Sequence, residues 1–448
     1  MQGADVVTPW SGSGAVPDAP EAAVAFLVGL QRREQALEEA EALLSELHEL
    51  VANLGIRVGG SAVIRIREEH PRHLVGSGKM EEIALAARDV GCGLVIFDDA
   101  LSPAQQRNWE RDSGLRVIDR QEVILDIFAS RASTREAVLQ VRLAQLEYQL
   151  PRLKRLWSHL DRQRGGGAMQ RDAGEKQIEM DQRLIRERIA RVRRDLDAVI
   201  RQRATQRKQR HRVPLPTAAI VGYTNAGKSS LLNAFTGAQV FAADKLFATL
   251  DPTTRRLALP GGGVLLLTDT VGFVRRLPHR LVNAFKATLE EATRVDFLIH
   301  VVDLSSPEYE AHLCTTGEVL AEIGASEKPI LTVFNKLDMC TDEVARFSAR
   351  ARYPDAVFIS ARTGEGLDVL QKRLARHVAA QNHEARLLIP HDRYDFLGEL
   401  HKAGAVLSEK ATSEGVFVSS LLPPRLLAAA ERFVTLQEPP AAETENVI

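Results

Sequence analysis

The stretch AAIVGYTNAGKSS, residues 218–230, decides the fold of the central part of this chain. It begins with an apolar run typical of a buried strand, continues through a glycine-rich turn, and enters a helical pattern after Lys228 and Ser229. The spacing Gly-x-x-x-x-Gly-Lys-Ser between a strand and a helix is typical of a phosphate-binding P-loop. Gly222 and Gly227 let backbone N–H groups face phosphate oxygens, and the helix adds its positive N-terminal end. The sequence therefore predicts a nucleotide site, with Lys228 on the β- and γ-phosphates and Ser229 on Mg²⁺.

Three shorter motifs downstream identify the base and complete the phosphate site. In LLLTDTVG, residues 265–272, Asp269 follows an apolar strand, where its carboxylate can hold the Mg²⁺ water shell while Gly272 donates to a γ-phosphate. In VFNKLD, the carboxylate of Asp338 accepts the two N–H donors that guanine, unlike adenine, presents. SAR, residues 360–362, fits the element whose backbone contacts the guanine oxygen. In this order, and each at a strand end, the motifs predict a GTPase domain.

The segment DKLFATLDPTTR, residues 244–255, lies between the first two motifs and fits a switch loop. Such a loop needs a threonine that completes the Mg²⁺ shell and senses the γ-phosphate. Thr249, Thr253 and Thr254 are all candidates, and the residue types alone do not choose among them.

Two positions bear on the rate of hydrolysis. Many GTPases place a water-orienting Gln directly after the Asp-x-x-Gly motif, and this chain has Phe273 there. A phenyl ring cannot orient water, so we expect slow intrinsic turnover and assign no catalytic residue. Asn225 occupies the P-loop position at which some related GTPases hold K⁺ near the phosphates, where the cation can act as an arginine finger does. The alternative is that Asn225 only caps the loop.

The amino-acid composition is typical of an ordinary globular protein and fits a reducing compartment. Of the 448 residues, 45% are apolar and 26% charged, and no apolar run approaches the roughly 18 residues of a membrane span. Cys92, Cys314 and Cys340 are scattered, without the spacing of a metal site or a disulfide framework. We expect a cytoplasmic monomer, with peripheral membrane association left open.

The net charge of −1 hides a strongly basic segment at residues 131–212, which contains 22 Lys/Arg and 10 Asp/Glu. Leucines and isoleucines recur there at spacings of three and four along two stretches, which predicts an antiparallel coiled-coil hairpin. Pro151 should kink or break the first helix. The predicted tip, residues 161–174, carries three consecutive glycines. Because this tip is long and basic, we expect it to contact RNA phosphates, through Arg162, Arg164 and Arg171.

Strand and helix patterns alternate before and after this hairpin, and several parallel strands are expected in the N-terminal part. Within that part, HLVGSGK (residues 73–79) is interpreted as a tight turn into a helix, because it lacks the full P-loop spacing. Asp98 and Asp99 end a strand but have no evident third metal ligand.

The whole pattern predicts an α/β protein. Its expected parts are a disordered tail (1–20), a small α/β domain (21–130), the basic helical hairpin (131–212), a P-loop GTPase domain (217–380), a small α+β C-terminal domain (385–434) and a disordered tail (435–448).

The motifs GYTNAGKS, LFATLDPTTR, DTVGF, NKLD and SAR together resemble those of the HflX family of translation-associated GTPases, in the Obg–HflX-like superfamily. LVGSGK, FDDALSPAQQRNWE, DRQEVILDIFASRA and LAQLEYQLPRL are similar to that family as well, so the resemblance covers about residues 24–380. It implies that Thr249 is the Mg²⁺ threonine and that residues 247–251 contact the nucleotide. The tip departs from the family, which usually reads close to RGPGETQLE where this chain has RGGGAMQRDAGEKQIE.

The predicted metal ligands are Ser229 and Thr249. The predicted nucleotide-binding residues are Gly222, Tyr223, Thr224, Asn225, Ala226, Gly227, Lys228, Ser229, Phe247, Ala248, Thr249, Leu250, Asp251, Asp269, Thr270, Val271, Gly272, Asn335, Lys336, Leu337, Asp338, Ser360, Ala361 and Arg362.

The resemblance implies a Mg²⁺-dependent GTP hydrolase that binds the large ribosomal subunit and, in its GTP form, separates stalled or idle ribosomes under stress such as heat. It also implies slow turnover that the ribosome stimulates. Two alternatives remain open, a regulatory GTPase acting on a membrane- or protease-linked protein partner and an RNA-remodelling NTPase that also uses ATP through its N-terminal domain. NKLD argues against ATP at the main site only.

Overall fold

The computed structural model describes residues 24–156, 168–210, 215–237, 246–247, 250, 252–260, 263–276, 292–380 and 383–435. The chain divides into two compact units. The first unit comprises residues 1–200, 244–250 and 276–285, and the second comprises residues 201–243, 251–275 and 286–448. The predicted disordered tails, except for Thr435, lie outside the described residues.

The first unit begins with an α/β arrangement around a four-stranded parallel sheet, as the sequence predicted. Its strands are β1 (Val24–Gln31), β2 (Arg57–Arg65), β3 (Leu94–Phe97) and β4 (Arg116–Asp119), in the order β2-β1-β3-β4. Its helices are α1 (Leu37–Asn53), α2 (Ser77–Asp89), α3 (Pro103–Ser113) and α4 (Arg120–Arg131). Ser102 starts α3 with a capping box, and α2 begins within HLVGSGK after a turn at Leu74, as expected for that stretch.

Asp98 and Asp99, at the end of β3, are paired with arginines instead of forming part of a carboxylate cluster. Both are buried, and Asp98 accepts from Arg120 at 2.5 Å and from Arg276 at 3.1 Å, while Asp99 lies 2.8 Å from Arg32. Burial raises the pKa of Asp98, and Arg120 opposes that rise. The buried arginine therefore compensates the carboxylate's loss of hydration.

Two long helices follow, α5 (Arg135–Leu156) and α6 (Ala168–Arg210). The predicted apolar stripes pack together, with Leu146, Ile185 and Ile189 at the centre of the contact. The sequence predicted that Pro151 kinks or breaks this helix. α5 continues through Pro151, so a break is wrong, and a kink stays a prediction. The predicted tip is also too long, because α6 already begins at Ala168. The reason is that AMQRD, residues 168–172, is rich in helix formers, which extend the helix across the expected loop.

A buried polar cluster fixes the C-terminal half of α5 to the N-terminal sheet. The Tyr148 hydroxyl donates to Asp119 at 2.9 Å and to Glu122 at 3.3 Å. Arg152 lies 3.2 Å from Asp119, and its guanidinium carbon is 3.3 Å from the centroid of the Tyr148 ring. Burial raises the pKa of Glu122 to about 8, with Asp119 contributing further. These contacts hold this half of α5 against α4 and the end of β4.

The second unit contains a six-stranded sheet with the order β10-β9-β8-β5-β7-β6. Its strands are β5 (Thr217–Gly222), β6 (Thr253–Ala258), β7 (Val264–Asp269), β8 (Phe297–Asp303), β9 (Ile330–Asn335) and β10 (Val357–Phe358). Its helices are α7 (Lys228–Thr236), α8 (Tyr309–Glu322), α9 (Glu343–Arg352) and α10 (Leu367–Ala380). Only the β6–β7 pair is antiparallel among the described strands of this sheet. The carboxyl ends of β5, β7, β8 and β9 therefore meet at one edge of the sheet, where the predicted motifs emerge.

A small α+β arrangement ends the second unit, as predicted. The strands β11 (His383–Pro390), β12 (Val406–Thr412) and β13 (Gly415–Leu422) form an antiparallel sheet in the order β11-β13-β12. The helices α11 (Tyr394–Lys402) and α12 (Pro424–Ala430) cover an apolar core around Leu387 and Leu400. Among the helices described, none has the length and apolar character needed to cross a bilayer.

Candidate nucleotide site

The P-loop connects the end of β5 to the start of α7, and two of its glycines are required by space. A Cβ atom on Gly222 would overlap the carbonyl oxygen of Val301 on β8, and one on Gly227 would overlap the Asn335 amide. Gly227 and Asn225 also have positive φ angles of 91° and 60°. The loop can therefore pass this close to β8 and β9 only with glycine at both positions.

Lys228 lies inside the loop that it closes. Its side chain is 6% exposed, and Nζ donates to the Tyr223 carbonyl at 2.7 Å. Burial lowers the pKa of Lys228 to about 8, while the negative charge of Asp269 opposes this. The ammonium group thus caps the P-loop backbone from the position at which a P-loop lysine meets phosphate oxygens.

Ser229 and Asp269 form the oxygen-rich part of the site. The Ser229 hydroxyl donates to the Asp269 carboxylate at 2.6 Å, and this carboxylate is fully buried at the end of β7. The neighbouring Thr270 hydroxyl donates to the Ile220 carbonyl at 2.6 Å, which ties β7 to β5. A hydroxyl beside a carboxylate offers the hard oxygen ligands that suit Mg²⁺. In the described part of the chain, no group of three or more His, Cys, Asp or Glu residues makes a separate metal site.

The segment after β7 is bonded directly to the P-loop. Tyr223 and Phe273 form a parallel bridge, in which the Thr224 N–H donates to the Phe273 carbonyl at 2.7 Å and the Phe273 N–H donates to the Gly222 carbonyl at 3.1 Å. Gly272 lies so close to the loop that a Cβ atom would come within 2.8 Å of Lys228 Nζ and Thr224 Cα. The Gly272 backbone is therefore held beside Lys228, the lysine predicted to meet the terminal phosphates.

Phe273 occupies the water-orienting position but faces the protein interior. Its side chain is only 2% exposed. The ring is thus shielded from solvent in this position, and the absence of a water-orienting role for Phe273 stays a prediction.

Four residues hold this bridge in place, and the sequence singled out only one of them, Tyr223. The Tyr223 ring stacks on His312 of α8 with centroids 3.8 Å apart, and its hydroxyl accepts the Arg275 N–H at 2.8 Å. Arg275 forms a bidentate ion pair with Glu308 at 2.8 and 2.9 Å. These contacts join the P-loop, the segment after β7 and the start of α8. Only Tyr223 lies inside a recognised motif, so spacing alone could not have indicated the other three.

The guanine motif is ordered by hydrogen bonds to two other motifs. Asn335 donates to the Ala226 carbonyl and accepts from the Ala361 N–H, both at 2.9 Å. Asp338 accepts from the Ser360 hydroxyl at 2.6 Å and lies 2.5 Å from Arg362. The hydrogen bond from Ser360, helped by Arg362, holds the pKa of Asp338 below its usual range. Asp338 is therefore an ionised acceptor, which is the form that guanine requires.

Lys336 and Leu337 complete this motif without facing the base-selecting carboxylate. Lys336 has a positive φ of 64° and pairs with Asp303 at 2.8 Å, which connects β9 to β8. Leu337 is 3% exposed and belongs to an apolar cluster behind the strands. Val271, between Thr270 and Gly272, is likewise buried.

Of residues 247–251, which the resemblance implies contact the nucleotide, only Phe247 and Leu250 are described, and both belong to the first unit. Phe247 is 2% exposed and packs edge-on against Phe128 with ring centroids 4.7 Å apart. Ala248, Thr249 and Asp251 lie outside the described residues. The nucleotide contacts assigned to this segment stay predictions.

The predicted RNA contacts at the hairpin tip stay predictions as well. Arg162 and Arg164 lie outside the described residues. Arg171 belongs to α6, although the position of its side chain is not described.

A P-loop, an Asp-x-x-Gly segment, an Asn-Lys-x-Asp motif and an SAR segment, all at the carboxyl edge of this sheet, define a P-loop GTPase. Family models agree: "GTP-binding GTPase N-terminal" matches residues 41–129, "GTP-binding GTPase Middle Region" matches 131–210 and "50S ribosome-binding GTPase" matches 217–336. The chain belongs to the HflX family of GTPases, and it hydrolyses GTP.

Individual relatives support this assignment. The chain is 49% identical over 426 residues to the GTPase HflX of Akkermansia muciniphila, covering 92% of this chain and 96% of that protein. It is 43% identical over 373 residues to the GTPase HflX of Escherichia coli, covering 83% and 87%. Among solved structures, it is similar to a GTP-binding protein from Sulfolobus solfataricus in complex with GDP, with 25% identity, 79% and 98% coverage and a TM-score of 0.42.

We expect Asp338→Asn to change the preferred base from guanine to xanthine. The amide replaces one accepting oxygen with an N–H donor, which opposes the exocyclic amine of guanine but suits the oxygen that xanthine carries there. Phosphate release at subsaturating GTP should fall roughly a hundredfold or more, and release from XTP should rise.

Asp342→Asn is the matched control, because Asp342 only caps α9 and Asn caps helices equally well. It should leave both rates unchanged. Equal loss of GTP and XTP hydrolysis in a folded Asp338→Asn protein would contradict the assigned role.

Proposed function

We propose that this GTPase binds the large ribosomal subunit in its GTP form, separates stalled or idle ribosomes, and is released by hydrolysis. Support comes from membership of the HflX family and from a match to a family model described as a 50S ribosome-binding GTPase. The observation that carries the proposal is the charge on α6, the long helix of the hairpin.

Residues 180–202 of α6 present seven exposed arginines and three exposed acidic residues to solvent. Arg183 is 80% exposed and Arg193 is 61% exposed, although each has a carboxylate partner, Glu187 and Glu147. The apolar side of the same helix is buried against α5, so the arginines cannot all turn away from solvent. A rigid helix with such an excess of guanidinium groups fits the phosphate backbone of RNA.

The chain's own residues supply the phosphate side of the reaction. Lys228 meets the β- and γ-phosphates, the backbone N–H groups of residues 222–229 surround them, and Ser229 with Thr249 would hold Mg²⁺ beside Asp269. Bound Mg²⁺ neutralises charge on the β- and γ-phosphates. Because Phe273 is buried and apolar, water is not oriented from within this segment, and turnover is slow until the ribosome supplies the missing interaction.

The state of the nucleotide reaches the rest of the protein through Gly272. Its N–H is the donor for a γ-phosphate, and its neighbour Phe273 is bonded to the P-loop. A bound γ-phosphate attracts the Gly272 N–H and thereby alters the hydrogen bonds between Phe273 and the P-loop. With GDP these hydrogen bonds stay as they are. Hydrolysis therefore ends the ribosome-bound conformation.

Asn225 is the proposed ligand of a K⁺ ion in the same site. Its side chain is half-buried at the phosphate end of the loop and makes no hydrogen bond to any residue that the structure describes. A cap for the loop would require such a bond. Bound K⁺ supplies positive charge next to the phosphates, as an arginine finger does.

Cosedimentation with purified ribosomal subunits tests the ribosomal function. We expect tight binding to large subunits and separation of intact ribosomes with a non-hydrolysable GTP analogue, and weak binding with GDP. Arg188→Gln combined with Arg191→Gln, at two exposed α6 positions without an ion pair to any described residue, should weaken binding about tenfold and reduce its salt dependence.

Lys402→Gln is the control, since Lys402 is equally exposed on α11. The proposal would be contradicted if the affinity for large subunits were the same with GDP and with the analogue. It would also be contradicted if that affinity depended neither on salt nor on the α6 substitutions. That result would favour a switch acting on a protein partner.

Turnover in K⁺ and Na⁺, with and without large subunits, tests the cation site. We expect hydrolysis about tenfold faster in K⁺ or more. The advantage should disappear in Asn225→Gly, which removes the side-chain oxygen and keeps the positive φ angle available. Equal rates of the native protein in both salts would contradict the site.

A further inference from the structure

A groove of about 430 Å³ runs along β10, the edge strand of the six-stranded sheet, between the C-terminal end of α9 and the helix α10. All the residues that line it belong to the second unit. None of them belongs to the nucleotide site.

The floor of the groove is apolar and open to solvent. Val369 on α10 is 53% exposed, and Phe358 and Pro354 line the groove from the β10 side. On α9, Phe347 is 76% exposed and Val344 is 74% exposed, although neither residue lines the groove. Exposed apolar side chains in and near a groove are typical of an interaction surface.

The rim of the groove is positively charged. Lys372, Arg373 and Arg376 follow one another along α10, and Arg350 faces them from α9. Arg373 pairs with Asp355 at 3.2 Å, whereas Arg350 and Arg376 have no ion pair with any residue in the described ranges. Residues 217–380 contain 18 basic and 18 acidic residues in total, so these cations are a local concentration in a neutral domain.

We propose that this groove binds an acidic amphipathic helix of a partner protein. An apolar floor flanked by cations on both sides complements a helix with an apolar stripe and carboxylates beside it. Arg350 and Arg376 line the groove, and arginine is among the residue types that carry much of the binding energy in protein interfaces.

RNA is a poorer match for the same surface. Bases bind to flat aromatic faces, and both faces of Phe358 are in use: one stacks on Phe334 with centroids 5.0 Å apart, and the guanidinium of Arg350 lies 5.3 Å from the ring centroid. Val369 and Pro354 in the groove are aliphatic, and their burial against apolar side chains is favourable, whereas contact with phosphates is not. The cations then remain to pair with carboxylates.

Fluorescence anisotropy with the full chain and GDP tests the proposal. The probe is a labelled peptide of about 16 residues, long enough to be helical, with leucine at every third or fourth position and glutamate on the other faces. We expect binding that weakens about fivefold or more in Val369→Asp and in Arg376→Glu, with GDP affinity unchanged in both. Lys402→Glu, an equally exposed charge reversal outside the groove, should leave peptide binding unchanged.

The same titration with a short labelled single-stranded RNA separates the two classes of partner. We expect RNA binding that does not depend on Val369 or Arg376. The proposal is overturned if the native chain does not bind the peptide, if both groove variants bind it as the native chain does, or if RNA binding alone is lost in these variants.

Discussion

Two backbone hydrogen bonds between the P-loop and the segment after β7 set the geometry on which the nucleotide site depends. The Thr224 N–H donates to Phe273, and the Phe273 N–H donates to Gly222. They are possible because Gly222 approaches the Val301 carbonyl and Gly272 approaches Lys228 more closely than any larger residue could. The P-loop and the segment after β7 are thereby parts of one hydrogen-bonded structure. A movement of one of them therefore displaces the other.

The supporting contacts explain why this arrangement is specific. Tyr223 stacks on His312, and its hydroxyl receives the Arg275 N–H, while Arg275 is held by both oxygens of Glu308. Phe273 fills the interior below the bridge, so the position that orients water in many GTPases here stabilises the fold. We propose that hydrolysis is slow so that the bound state lasts until the partner ends it, and that this partner acts through the arginine-rich hairpin. The buried Tyr148, Asp119 and Arg152 cluster holds α5 of the hairpin against the N-terminal sheet.

Most of the nucleotide site could be predicted from the sequence because parallel strands place their carboxyl ends at one edge, and motifs at those ends must meet. Ser229 contacts Asp269, and Asn335 contacts Ala361, although 40 and 26 residues separate them. No sequence motif indicated the contacts of His312, Glu308 and Arg275, because these contacts depend on how α8 packs. The apolar stripes of the hairpin were predictable from their period, but the length of its turn was not. Residues 168–172 extend α6 because they are rich in helix formers. Pro151 is accommodated inside α5, where tertiary context outweighs the local preference of proline.

Hydrogen exchange at the amides of Thr224 and Phe273 reports on the bridge itself, because these are its two N–H groups. We expect strong protection of both amides with GDP. Exchange at Phe273 should be about tenfold faster or more with a non-hydrolysable GTP analogue, when Gly272 turns to the γ-phosphate. The amides of the sheet core, such as Ile299, should be equally protected in both states and serve as the internal control. Identical exchange at Phe273 with the two nucleotides would contradict the claim that this bridge transmits the nucleotide state.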